Sequence, residues 1–309
     1  MLAAVARERG ATGRSGVPLG TVQIAAIDAV LARAAGARAR ITAVLPLAGG
    51  SIAAAYRLDT TVGPCFLKLG AAAHPFDAEA DALREIAATA TVRVPRPLES
   101  GVVGAAGFLL LEWIDLRPSG DWRAAGESLA ALHAVVREQY GWTRDNAIGA
   151  TEQFNAPCPG ASWSEFYLAR RLEPQLKLAA RRGLRAIAER ADAARSASRS
   201  RLAGHEPPPS LLHGDLWRGN LGFDDAGRAV LFDPALYYGD PETDIAMTWL
   251  FGGFDPRFHA AYEAVRPTAS GAERRRPVYQ LYHVLNHAHL FGGGYIDQAR
   301  ELIDRIASE

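Results

Sequence analysis

His213-Gly214-Asp215-Leu216-Trp217-Arg218-Gly219-Asn220, followed by Phe232-Asp233-Pro234, is the stretch from which the rest of the chain can be read. Asp215 and Asn220 are five residues apart, and Asp233 comes thirteen later. Apolar runs frame the set, Ser210-Leu211-Leu212 before it and Ala229-Val230-Leu231-Phe232 ahead of Asp233. Both runs read as short buried strands that would hold three polar groups in fixed positions. The plain alternative is a surface loop in which Asp and Asn are ordinary turn residues.

Two carboxylates and a carboxamide at this spacing match the catalytic plan of phosphotransferases of the protein-kinase type. There a loop Asp accepts the hydroxyl proton, an Asn five residues on binds magnesium, and an Asp on the next strand turn binds it too. In this chain those positions are Asp215, Asn220 and Asp233. Such a plan requires a lysine held by a glutamate upstream. Cys65-Phe66-Leu67-Lys68-Leu69 reads as a strand, and a lysine inside an apolar strand is costly without a partner. On the next helix, Phe76 to Ala88, the residues Phe76, Ala80, Leu83, Ile86 and Ala87 share one face. Glu79 falls in that arc and is expected inward, with Glu85 toward solvent. An edge lysine that discourages aggregation is the competing reading of Lys68.

Upstream, Val22 to Ala35 reads as an opening helix, and Ile41 to Leu47 and Ile52 to Leu58 as strands. Gly49, Gly50 and Ser51 lie between those strands, where kinase-type folds cover nucleotide phosphates with backbone N–H groups. Val92 to Pro97 reads as an extended connector. The apolar strand from Gly107 ends in Glu112-Trp113-Ile114, where Glu112 and Ile114 occupy the position of a hinge whose backbone bonds adenine. Trp122 to Val136 reads as a helix with His133 as a structural histidine, and Gln139 to Asn155 as a loop. Trp163 to Leu178 and Leu184 to Leu202 read as two longer helices with arginines on their solvent faces. Only ten residues separate Asp233 from Asp244, too few for the activation segment of a regulated protein kinase. Asp244 is placed either to cap the following helix or to brace the catalytic loop, or both. Val278 to Leu290 reads as a polar, aromatic helix, and its His283 and His287 lack a third ligand for zinc.

The bulk composition fits a globular enzyme. The chain has 309 residues, 49% hydrophobic and 22% charged, with 34 basic and 34 acidic side chains and a formal net charge of zero. That balance gives no basic stripe for nucleic acid or an anionic membrane. Two cysteines make no disulfide framework, which fits a reducing, cytoplasmic setting. No apolar run reaches membrane-spanning length. Residues 1–20 carry Arg7, Arg9 and Arg14 against Glu8 alone and are expected to form a disordered arm.

Several further pieces resemble the fructosamine kinases, or ketosamine-3-kinases, over about Ala48 to Tyr295. They are Leu211 to Trp217, Phe232-Asp233-Pro234-Ala235, Tyr237-Tyr238-Gly239-Asp240, Asp244-Ile245-Ala246-Met247, Phe251-Gly252-Gly253-Phe254, Leu285-Asn286-His287, and the central loop Trp142 to Gly149. The resemblance implies an α+β, bilobal protein-kinase-like fold. Its N-lobe, residues 21–114, would carry an antiparallel sheet with the Lys–Glu helix, and its C-lobe, residues 115–309, would be mainly helical. It implies ATP bound between the lobes, with Lys68, Glu79, the Gly49-Gly50-Ser51 turn, Glu112 and Ile114 on the nucleotide and Asn220 and Asp233 on Mg2+. Asp215 would act as base on the 3-hydroxyl of a ketosamine, either a small molecule or a glycated protein lysine, and the result would be deglycation. Trp217 and His287 would line the acceptor pocket. No nucleic-acid or membrane partner is implied, and a monomer or weak homodimer is expected. Two positions depart from the family pattern: Ser51 stands where cysteine is frequent, and Arg218 where serine is usual. The alternatives are an aminoglycoside- or choline-type phosphotransferase of the same fold, and a nucleotide-binding pseudokinase module.

Overall fold

The computed structural model describes residues 20–48 and 52–308. The expected arm at residues 1–20 therefore falls, but for Gly20, outside the described residues, and so does the Gly49-Gly50-Ser51 turn. Two compact units emerge, one of residues 1–128 with Gly219–Asp233, the other of Leu129–Arg218 with Pro234–Glu309. The chain thus returns to the first unit after Arg218. The segment with Asn220 and Asp233 packs there with the Lys68 strand, whereas the sequence reading ended that unit at residue 114.

The first unit opens with helix α1 (Thr21–Ala35) and builds one five-stranded antiparallel sheet. Its strands are β1 (Ile41–Leu47), β2 (Ala54–Thr60), β3 (Cys65–Ala71), β4 (Pro97–Val103) and β5 (Ala106–Glu112), in the order β1-β2-β3-β5-β4. Helix α2 (Phe76–Ala88) follows β3. Ile27 and Leu31 of α1 pack with Tyr56, Leu58, Leu67, Phe108 and Leu110 of the sheet in one apolar core. Lys68 occupies a central strand, paired with Ala55 on one side and Leu109 on the other, so it is not an edge lysine. On α2, Phe76, Ala80, Leu83 and Ile86 are buried as expected, but Ala87 is exposed. The edge strand β4 was not expected beyond the connector. Glu99-Ser100-Gly101 hides its alternation, and a register irregularity follows Pro97.

Helix α3 (Trp122–His133) leads into the second unit. There a short hairpin, β6 (Asn146–Ile148) and β7 (Thr151–Gln153), interrupts the expected loop. The single helix expected from Trp163 to Leu178 is three pieces: α4 (Trp163–Tyr167), a π-helical turn (Leu168–Leu172) and α5 (Glu173–Arg181). Likewise 184–202 divides into α6 (Arg185–Ala188) and α7 (Ala191–Leu202), with neither Gly nor Pro marking the break. β8 (Ser210–Leu212) precedes the catalytic loop. β9 (Leu221–Phe223) and β10 (Ala229–Leu231) then form a hairpin within the first unit. β11 (Tyr237–Gly239) pairs with β8, and helices α8 (Glu242–Leu250), α9 (Pro256–Val265), α10 (Ala272–Phe291) and α11 (Gly294–Ser308) complete the chain. Leu281, Val284, Leu285 and Ala288 of α10 pack with Leu176 of α5, Ala194 of α7 and Ile303 of α11. Among the described residues no helix is long and apolar enough to cross a membrane.

Candidate active site

In the first unit Lys68 is 8% exposed, and its Nζ lies 2.6 Å from Glu79 Oε1 and 2.6 Å from Asp233 Oδ1. Burial alone would lower the ammonium's pKa. The two carboxylates outweigh it and hold the group charged, above its ordinary value. For Glu79 burial is the larger influence and pushes its carboxyl up, against the pull of Lys68. Asp233 is brought to this pair by backbone geometry. Phe232 N–H donates to the Asn220 carbonyl at 3.1 Å, which sets the two metal-ligand candidates on neighbouring segments. At Asp233 the chain then turns with φ of 59°, a left-handed conformation that a side chain seldom adopts.

Asn220 and Asp233 supply a carboxamide oxygen and a carboxylate, the hard oxygen donors that Mg2+ takes. Asn220 is 3% exposed, whereas the Asp233 side chain keeps 28% of its surface open. The pair fits the metal as a donor set. At the hinge position Glu112 N–H is spent on the Arg96 carbonyl at 3.0 Å, while the Glu112 side chain accepts from Arg96 N–H. Ile114 is buried.

Asp215 lies in the second unit. Gly214 before it has φ of 83°, and a Cβ there would lie 2.0 Å from the Ala235 carbonyl oxygen, so glycine is required. The loop is held from beneath by Asp244. His213 N–H donates to its Oδ2 at 2.7 Å and Gly214 N–H to its Oδ1 at 2.8 Å, while His133 Nε2 lies 3.2 Å from Oδ2. Burial would raise the Asp244 carboxyl, but these partners, His133 first, hold it below the ordinary range. Of the two roles open for Asp244, bracing is the one observed. The residue sits inside the first turn of α8 rather than at its cap, and Pro241 takes the cap position. His133 is structural, as expected, through Asp244 and the Tyr262 hydroxyl at 2.8 Å.

A second support escaped the sequence reading. Gln153 Nε2 donates to the Ala235 carbonyl and to Asn146 Oδ1, both at 2.9 Å, and Asn146 Nδ2 donates to the Leu236 carbonyl at 2.9 Å. Tyr282 hydroxyl donates to Gln153 Oε1 at 2.7 Å. Asn155 joins Asn146 to Arg171, whose guanidinium donates to Asn155 Oδ1 at 2.7 Å and to the Phe154 carbonyl at 2.6 Å. Arg171 is 0% exposed and stacks 3.8 Å from the Tyr237 ring, so it is not one of the solvent-facing arginines expected on this helix. The π-helical turn Leu168–Leu172 carries Arg171.

Trp217 is half-buried rather than a core aromatic, with Phe251 edge-on at 6.3 Å. Phe251 also meets the His287 ring at 4.7 Å, and His287 meets Tyr295 at 5.1 Å. His287 Nδ1–H donates to the His283 carbonyl at 2.8 Å, which leaves its Nε2 as acceptor. Among the described residues no group of three metal-ligating side chains includes His283 or His287. The stem of Arg218 lies against Gly253. A separate cavity of about 600 Å³ is lined by residues such as Trp249, His259 and Arg266, and by none of Asp215, Trp217 or His287. His205, Asp240 and Glu242 cluster in its lining, but each is already engaged. Asp240 Oδ2 takes Tyr279 and His205, and Glu242 takes Arg275 through both oxygens.

The fructosamine kinase family profile matches residues 23–309. The chain belongs to the fructosamine kinase family. A probable ketoamine kinase of Synechocystis sp. is 43% identical over 265 residues, which is 83% of this chain and 88% of that protein. A chloroplastic protein-ribulosamine 3-kinase of Oryza sativa subsp. indica is 38% identical over 276 residues, 87% of this chain and 80% of that one. The crystal structure of a provisionally named fructosamine-3-kinase from Haemophilus somnus superposes with a TM-score of 0.82. It is 29% identical and covers 91% of this chain and 97% of its own. Aminoglycoside phosphotransferase APH(4)-Ia shares the fold at 16% identity, with a TM-score of 0.59 over 91% of this chain and 98% of that one. The protein is a kinase with the bilobal, α+β plan, its first unit carrying the antiparallel sheet and Lys–Glu helix and its second mainly helical.

Proposed function

We propose that the protein transfers the γ-phosphoryl group of ATP to the 3-hydroxyl of a ketosamine. The observation that carries this reading is the close similarity, over more than four-fifths of the chain, to kinases named for ketoamines and ribulosamines. Lys68, pinned at 2.6 Å to Glu79, is the cation for the α- and β-phosphates. Asn220 and Asp233 are the residues to hold Mg2+, which when bound supplies charge neutralisation at the phosphates. Asp215, on the loop braced by Asp244, orients the acceptor hydroxyl and takes its proton. A phosphate on C3 is allylic once the ketosamine enolises to its C1–C2 enaminol, so it leaves as inorganic phosphate, and water then hydrolyses the resulting C1 imine and frees the amine. The half-buried Trp217 and the aromatic group around Phe251 and His287 give the amine substituent a flat apolar surface, with a cation–π contribution if it is charged.

The acidic run Asp240 to Asp244 also bears on the acceptor. A polycationic aminoglycoside calls for available carboxylates, yet Asp240, Glu242 and Asp244 are all engaged with internal partners. That favours a ketosamine over an aminoglycoside. The test is phosphate transfer to a fructosamine and a ribulosamine, compared with choline and an aminoglycoside. Ketosamines are expected to be phosphorylated, with the phosphate on C3. Asp215→Asn should stay folded and lose about 10²-fold or more in kcat. Exclusive turnover of choline or an aminoglycoside, or an Asp215→Asn enzyme of near-native rate, would overturn the reading.

A further inference from the structure

One buried polar atom beside Asp215 has no partner. His283 on α10 is 4% exposed, and its Nδ1 makes no hydrogen bond. Such atoms are rare in folded proteins and costly, so each one calls for a physical reason. Its nearest acid is Asp215, whose Oδ1 lies 3.9 Å away. That is about 1 Å beyond an ordinary N–H···O hydrogen bond, a gap that a small rotation of the carboxylate closes. Next to a carboxylate the ring is better placed with its proton on Nδ1, because a lone pair there would face an anion. Burial foremost, then His287, keeps the imidazole neutral by lowering its pKa to about 3. The helix on either side of it is held, since the His283 carbonyl accepts His287 Nδ1–H and the Tyr282 hydroxyl donates to Gln153.

We infer that His283 is the positioning residue of the catalytic base: its Nδ1–H donates to one oxygen of Asp215 and leaves the other to take the acceptor hydroxyl's proton. This rests on Asp215 being the base, as proposed above. It gives the buried, unpaired Nδ1 an acceptor. His283 would act through Asp215 alone, so its removal should slow turnover without weakening acceptor binding.

The test is steady-state kinetics of ketosamine phosphorylation by the full-length enzyme and variants, each checked by thermal melting. His283→Leu should lower kcat by about 10- to 100-fold, the worth of a hydrogen bond to a charged group, and leave the acceptor KM within about twofold. In the Asp215→Asn background His283→Leu should cost little more, because residues acting as a unit are not additive. His283→Asn can place an amide nitrogen near the Nδ1 position and should recover most of the rate, whereas His283→Gln should not. If His283→Leu fails to fold, the contrast between Asn and Gln decides. A native kcat in His283→Leu, a full additional loss on Asp215→Asn, or equal rates for Asn and Gln would overturn the inference while the wild type still phosphorylates ketosamine. A wild type with no ketosamine turnover would instead overturn the functional reading, and this inference with it.

Discussion

Lys68 Nζ and Asp233 Oδ1 stand 2.6 Å apart although 165 residues separate them in the chain. The contact joins the central strand of the first unit to the segment that returns to it after Arg218. Lys68→Met would remove the cation and leave Glu79, 12% exposed, as a buried carboxylate without its partner. The expected cost is about 3 kcal/mol at neutral pH. Burial already pushes the Glu79 carboxyl above its ordinary value, and loss of Lys68 pushes it further. A carboxyl with a raised folded-state pKa destabilises increasingly as pH climbs from its unfolded value near about 4. The gap between wild type and Lys68→Met should therefore widen from pH 4 upward in denaturant titrations. A gap independent of pH would remove Glu79 from the explanation.

Asp233 is expected to be required for metal use. Asp233→Asn keeps a side chain that tolerates the left-handed backbone but exchanges an anionic donor for a neutral one. Turnover should fall about 10²-fold or more, and the magnesium concentration for half-maximal rate should rise. Chelation of divalent ions should silence the wild type. An Asp233→Asn enzyme with the wild-type magnesium response would exclude Asp233 as a ligand.

Asp244 should set an acid limit on stability. Its folded-state carboxyl lies below the ordinary range despite burial, because His133 and the N–H groups of His213 and Gly214 favour the anion. A depressed carboxyl stabilises fully above its unfolded value and progressively less as pH drops through about 4. Asp244→Asn is expected to cost about 3 kcal/mol at pH 7. Urea titrations should show that difference constant from pH 7 to 5 and shrinking below 4.

Arg171 should be intolerant of lysine. Its buried guanidinium divides donors between the Phe154 carbonyl and Asn155 Oδ1 and stacks on Tyr237, a planar fork that an ammonium cannot reproduce. Arg171→Lys is expected to lose about 2 to 4 kcal/mol and to loosen the hairpin that holds Ala235 and Leu236. Faster amide exchange at Asn146 to Gln153 would report this. Unchanged protection there would show that the hairpin stands without it.

Much of this site could be read before any coordinates. Spacing alone singled out Asp215, Asn220 and Asp233 as candidates, the last two of which lie on neighbouring segments, and helical phase put Glu79 on the side of α2 that meets Lys68. Those signals are local, and the elements that carry them are regular. What stayed hidden depends on contacts distant in sequence or on irregular backbone. Nothing near His283 points to Asp215, which lies 68 positions earlier but 3.9 Å away. Arg171 looked like a solvated charge because arginines on a helix usually are, and its partners Phe154 and Asn155 lie on another segment. Asn146 and Gln153 lay in a stretch whose glycines and polar residues read as loop, and they matter because their amides meet the carbonyls of Leu236 and Ala235.

The left-handed turn at Asp233 leaves position 233 two separate filters. Glycine would relax the backbone yet bring no oxygen, and glutamate would bring the oxygen on a longer stem that the turn disfavours. Saturation of this codon should therefore yield aspartate alone among survivors of a selection for activity, while a selection for folding alone should also admit asparagine and glycine.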